Sequence, residues 1–212
     1  MSRSPPCRPS YGYGWVCPPR AGALRLGYRD VKSSFVVPAD LDAVQRHPKA
    51  AKAGERMRMH NPLCYGCGEE SAEGLHLQMF AGEDFEVTAT MDVAARFEGG
   101  PGVIHGGVLS TAFDDVMGMI PLLIGPSAVT VHLEVDYQRP IPIGSQLQFT
   151  AKLLGRQRRK IYAEGIAHLG DPDEPVATGH AIFVTIDVRE HFADHLANSR
   201  LADEYKARMS RP

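Results

Sequence analysis

"VIHGGVLSTAFDDVMGMI", residues 103–120, decides the fold of this chain. Leu109, Ala112, Phe113, Val116, Ile120 and, just beyond the stretch, Leu123 recur at helical spacing. At ~100° per residue they fall on one arc of roughly 100°. The spacing predicts one long helix over 103–124, buried along one side. Its opposite side collects Gly107, Ser110, Thr111, Asp114 and Gly118. A helix side facing solvent usually carries Lys, Glu and Arg; this one carries none, so it suits close approach by another backbone or a ligand. Asp114 lies near the middle of that small face. Plain solvation of Asp114 and Asp115 is the competing reading.

His105-Gly106-Gly107 opens the helix. Glycines there leave backbone N–H groups accessible at the positive end of the helix dipole, where a polarised carbonyl oxygen can bind. A carboxylate two and a half turns further on, across a groove, points to acyl chemistry. His105 itself reads better as a loop residue that fixes the turn by hydrogen bonding than as a catalyst.

Strands surround this helix. "LHLQMF" and "FEVTATMD" precede it, and in the second Phe85, Val87, Ala89 and Met91 alternate with polar residues in the manner of a half-buried strand. "VTVHLEVDYQ", "SQLQFTAKLL", "KIYAEGIAHL" and "VATGHAIFVTID" follow, with short connections such as "RPIPIG" and "GDPDEP" that suit antiparallel neighbours. The pattern implies an α+β domain, a curved antiparallel sheet wrapped around one central helix. Three parts are expected: an N-terminal extension over 1–58, the domain over 59–190, and a C-terminal helix or tail over 191–212. Proline and glycine break residues 1 to about 35, which are expected to be disordered. A short helix after Asp40, interrupted near Pro48, would serve as a lid or docking arm. A final helix is expected over about 191–209.

The formal charge of −2 over 212 residues provides no global field for nucleic acid or anionic membrane. "GRQRRK" is too local to change that. "VMGMIPLLIG", the longest apolar stretch, contains Pro121 and falls short of a membrane span. The proline-broken start resembles no signal peptide, so a soluble cytoplasmic protein is expected. Four cysteines, Cys7, Cys17, Cys64 and Cys67, suggest no disulfide framework in that compartment. "CYGCG" has zinc-like spacing, but a tetrahedral site needs two more ligands, and Cys7 and Cys17 lie in a proline-rich tail. Reduced cysteines in a tight glycine turn are therefore expected, with no metal and no cofactor.

From "CYGCGEESAEGLHL" to "AIFVTID", roughly residues 60 to 187, the chain resembles the hotdog-fold thioesterase superfamily, specifically the PaaI-like acyl-CoA thioesterases and their mammalian relatives. The resemblance rests on the CxxCG…GL opening, on HGG with an Asp nine residues after the His, and on "YQRPIPIG". Ser71 and Ala72 depart from it, standing where relatives often carry Asn and Pro. The resemblance implies a homodimer or dimer of dimers, with sites at the interface, acting on an acyl-CoA thioester. It puts the helix carboxylate on Asp114, the carbonyl-binding amide on Gly107 with His105 beside it, and a water-positioning hydroxyl on Thr130. Gly106, Ser110, Val131 and His132 are assigned to substrate binding. Arg156, Arg158 and Arg159 are candidates for the CoA phosphates, a solvated hairpin tip being the alternative. Arg139 is expected to anchor its strand through Asp136. Met117, Met119 and Phe97 would line an acyl pocket or simply fill the core. Two rival functions use the same fold: a hotdog enoyl-CoA hydratase, from which the Asp after HGG points away, and a non-catalytic acyl-CoA-binding regulator.

Overall fold

Alternating burial builds the sheet. In the strand Glu86–Asp92 (β4), Val87, Ala89 and Met91 point inward while Thr88 and Asp92 stay exposed, so one face is a core and the other is solvated. A computed structural model describes residues 33–209, together with two short strands, Arg8–Pro9 (β1) and Trp15–Val16 (β2), which pair antiparallel. That pair belongs to a first unit ending at Ser34; a second begins at Phe35. The disorder expected of residues 1 to 35 falls, apart from this pair and residues 33–35, outside the described residues.

Six strands form the main sheet: Gln78–Ala81 (β3), β4, Ala128–Tyr137 (β7), Gln146–Gln157 (β8), Lys160–His168 (β9) and Ala177–Thr185 (β10). Their spatial order is β3-β4-β8-β9-β10-β7, antiparallel throughout. A small pair, Glu98–Gly100 (β5) and Val103–Ile104 (β6), lies in the glycine-rich loop before the helix. The strands stand where the alternation predicts them, but "RPIPIG" does not join neighbours. It carries the chain from β7 at one edge to β8 in the middle. Pro140 and Pro142 offer no N–H to continue a ladder; instead Val103 bridges Pro142, and the Ile104 amide donates to the Ile141 carbonyl at 3.0 Å.

The helix packs into a notch cut by two glycines. Gly165 and Gly179 face each other on β9 and β10. A Cβ at Gly179 would stand 2.8 Å from Phe113 Cδ1, and one at Gly165 would stand 3.3 Å from it. Phe113, 1% exposed, fills that space and meets Phe149 edge-on. Leu109, Ala112, Val116, Ile120 and Leu123 are buried with it, so the predicted apolar arc is the one that faces the sheet. This is the hotdog fold. The helical segment Gly106–Ile124, 19 residues with mean hydropathy 1.5, is long and apolar enough to cross a membrane by length and composition, yet its apolar arc is covered by the sheet.

Three expectations need correction. The single helix is two, Gly106–Gly118 (α1) and Ile120–Ile124 (α2), because Pro121 has no N–H to donate back across the join. No helix forms after Asp40. That segment runs extended along the sheet: Asp42 bridges Arg156, Leu41 covers Gly155, the His47 amide donates to the Leu123 carbonyl, and Met57 pairs with Met79. Tertiary partners thus take the donors a helix would have used. The C-terminal helix is broken into Val188–His191 (α3), a 3-10 turn at Leu196–Asn198, and Ala202–Met209 (α4), its weak apolar stripe being too slight to hold one rod.

Candidate functional site

Two consecutive aspartates on α1 serve two different places. Asp114 turns toward β7, where Thr130 Oγ1 donates to its Oδ1 at 2.7 Å. Ser110, one turn earlier, meets the Tyr137 hydroxyl at 2.5 Å, and that hydroxyl reaches the Gly106 carbonyl at 3.1 Å. Thr111 donates back to the Gly107 carbonyl at 2.9 Å. Small and polar side chains therefore line one strip between α1 and the edge strand β7, as the helical wheel anticipates.

The N-terminus of α1 is already engaged. His105 is the N-cap, its Nδ1 accepting from the Gly107 amide at 2.9 Å. The imidazole thus holds the turn, which agrees with a positioning role. Tyr137 covers the backbone at Gly106, where a Cβ would stand 3.3 Å from its ring. Val131, 57% exposed, projects from β7 near Thr130. His132 is turned to Glu134 at 3.0 Å.

The basic cluster is the hairpin tip between β8 and β9. Arg156 donates to the Arg158 carbonyl at 2.8 Å, and Arg159 grips the Thr185 carbonyl at 2.7 Å. Arg156, Ile161, Phe183 and Thr130 share one rung across four adjacent strands, which sets Arg156 ~14 Å from Thr130 at ordinary strand spacing. Arg139 pairs with Glu174 at 3.0 Å, not with Asp136; the β7–β10 register brings the loop before β10 to the end of β7. Met117 and Phe97 are core. Met119 lines a cavity of about 650 Å³ with Met57, Met59, Leu77, Met79 and Cys67.

Asp115 points into a second cluster that the sequence reading did not assemble. Cys64 Sγ lies 3.4 Å from Asp115 Oδ1, and Cys67 Sγ lies 3.5 Å from His60 Nδ1. All four donor atoms fall within 4.8 Å of one another. Burial, then the neighbouring Cys64, pushes the Asp115 carboxyl up to about 7. Hydrogen bonding from Cys67, then from His60, holds the Cys64 thiol well below its usual range, and the same bond raises Cys67. Two signals in the sequence pointed here: His60 stands four residues before Cys64, and Asp115 lies off both the apolar arc and the small polar face.

Comparison with known proteins gives three results. Residues 101–176 match the thioesterase superfamily. The chain is 24% identical over 151 residues to acyl-coenzyme A thioesterase THEM4 of Rattus norvegicus, covering 71% of this chain and 65% of that protein. It is 28% identical over 93 residues to acyl-coenzyme A thioesterase THEM5 of Homo sapiens, covering 44% of this chain and 38% of the relative. The chain thus spans under two thirds of the length of these relatives. Among solved structures, a thioesterase superfamily protein superposes with TM-score 0.53 at 29% identity, over 59% of this chain and 63% of that one. The E. coli PaaI protein shares the fold at TM-score 0.50 and 21% identity, over 53% of this chain and 81% of its own.

Proposed function

We propose, from the match of residues 101–176 to the thioesterase superfamily, that this chain hydrolyses an acyl-CoA thioester to a carboxylic acid and free CoA. The observation that carries the reading is the Asp114–Thr130 hydrogen bond at 2.7 Å. It fixes one carboxylate oxygen and leaves the other to take a proton from water, or the carboxylate itself to attack. The α1 N-terminus supplies the complementary half, amides at the positive helix end for the oxygen that gains charge. In the free protein the Gly107 amide is bonded to His105 Nδ1, so the substrate oxygen exchanges places with the imidazole there.

These halves cannot meet within one helix. Gly107 and Asp114 are seven residues apart on α1, about 10.5 Å along the axis, whereas a reacting carbonyl must lie ~3 Å from both water and its oxyanion donors. Two copies related by a two-fold axis bring Asp114 of one against the Gly107 end of the other. The edge strand β7, with Val131 exposed, is the surface that a second copy would meet. Arg158, at the exposed hairpin tip, is then placed to meet the CoA phosphates.

Subunit mixing tests this reading. Asp114→Asn and Gly107→Pro are each expected to be inactive, and co-expressed they should recover roughly a quarter of the wild-type rate, since a mixed dimer regains one intact site. No recovery from folded mixed dimers would defeat the shared site. Tight acyl-CoA binding by the wild type without turnover would instead favour a regulatory binder.

A further inference from the structure

We propose that His60, Cys64, Cys67 and Asp115 form a tetrahedral zinc site that ties the segment before β3 to the central helix. The donors are two thiols, one imidazole and one carboxylate, a set suited to Zn²⁺ in preference to magnesium or calcium. Zinc bonds of ~2.3 Å to sulfur and ~2.0 to 2.2 Å to nitrogen and oxygen require mixed tetrahedral edges of about 3.5 Å. The Cys64–Asp115 and Cys67–His60 separations are 3.4 Å and 3.5 Å, and no pair among the four donor atoms exceeds 4.8 Å.

A second observation points to a cation at this place. Asp115 Oδ2 is the one buried side-chain oxygen or nitrogen without a hydrogen-bond partner among the described residues, and no lysine or arginine there pairs with Asp115. A half-buried carboxylate left that way carries an uncompensated desolvation cost; a divalent ion removes it.

The turn is built to present both thiols inward. Leu63 donates to Asn61 Oδ1 at 2.8 Å, Cys64 to the Asn61 carbonyl at 3.0 Å, and Gly68 to the Cys64 carbonyl at 3.0 Å. A Cβ at Gly66 would stand 2.4 Å from Asp115 Cγ, and one at Gly68 would stand 2.4 Å from the Pro62 carbonyl oxygen. Only glycine permits the loop to close this tightly over the helix. With four protein donors the site is closed, as structural zinc sites are. Cys64 and Asp115 stand 51 residues apart in the chain, so the ion pins the loop beside the aspartate pair. Nothing in this assignment depends on the thioesterase reading.

The test is metal content and spectroscopy on the full chain, purified without a histidine tag under reducing conditions. The expectation is one zinc per chain after dialysis. Replacement by cobalt(II) should show thiolate-to-metal charge transfer and the intense visible bands of a tetrahedral site. Cys67→Ser and Asp115→Asn should each lose the bound zinc, and a chelator should lower the wild-type Tm. Three results would each overturn the proposal: wild-type protein that holds no zinc and gives no charge transfer with cobalt; zinc content unchanged in both variants; or a Cys64–Cys67 disulfide in freshly purified protein. Should both variants misfold, the wild-type zinc content and cobalt spectrum still decide.

Discussion

Thr130 Oγ1 donates to Asp114 Oδ1 at 2.7 Å, joining the central helix to the start of the edge strand β7. The bond orients the carboxylate and withdraws one of its oxygens from solvent competition. Thr130→Val, nearly isosteric, removes that bond without opening a hole. A hydrogen bond to a charged group contributes ~1.5 to 3 kcal/mol, so kcat/KM should fall roughly ten- to a hundredfold. A variant with wild-type kcat/KM would show that Thr130 is only a strand residue.

His105 caps α1 through Nδ1. His105→Ala should cost about 1 kcal/mol of stability, seen as a lower Tm, while kcat stays within about tenfold of wild type because the Gly107 amide is freed. A collapse of kcat by a thousandfold in folded protein would make His105 a catalytic acid or base, and the hydratase-like reading would gain ground.

Gly179 gives Phe113 its place in the core, at a would-be Cβ distance of 2.8 Å. Gly179→Ala should destabilise the domain by about 1 to 3 kcal/mol through overpacking. Denaturant unfolding measures it, and a stability equal to wild type would mean that the helix can shift off the sheet at little cost.

Arg158 stands exposed at the β8–β9 tip, on the left-handed turn position with φ 54°. If the tip meets CoA phosphates, Arg158→Ala raises KM for acyl-CoA several-fold and leaves KM for an acyl N-acetylcysteamine thioester, which lacks those phosphates, unchanged. Equal effects on both substrates would assign the tip to structure alone.

Much of this was legible because helical and strand periodicities differ. The arc of Leu109, Phe113, Val116 and Ile120 identified the face that meets the sheet, and the absence of long charged residues opposite it singled out Asp114. Chain order could not reveal that β7 lies at the far edge; "RPIPIG" is short enough for a hairpin, and only its two prolines hint otherwise. The extended path of residues 40–47 was hidden because local propensity favours a helix there, while the donors are claimed by distant partners such as Arg156 and Leu123. The same limit hid the Cys64 cluster. Its fourth donor, Asp115, is distant in sequence and becomes a neighbour only once the loop folds onto the helix.

The decisive measurement is thiol release from acyl-CoAs of graded chain length, comparing wild type with folded Asp114→Asn. The wild type is expected to turn over and the variant to lose about 10²- to 10⁴-fold, the contribution typical of a positioned acid or base. Turnover by Asp114→Asn at the wild-type rate would contradict it.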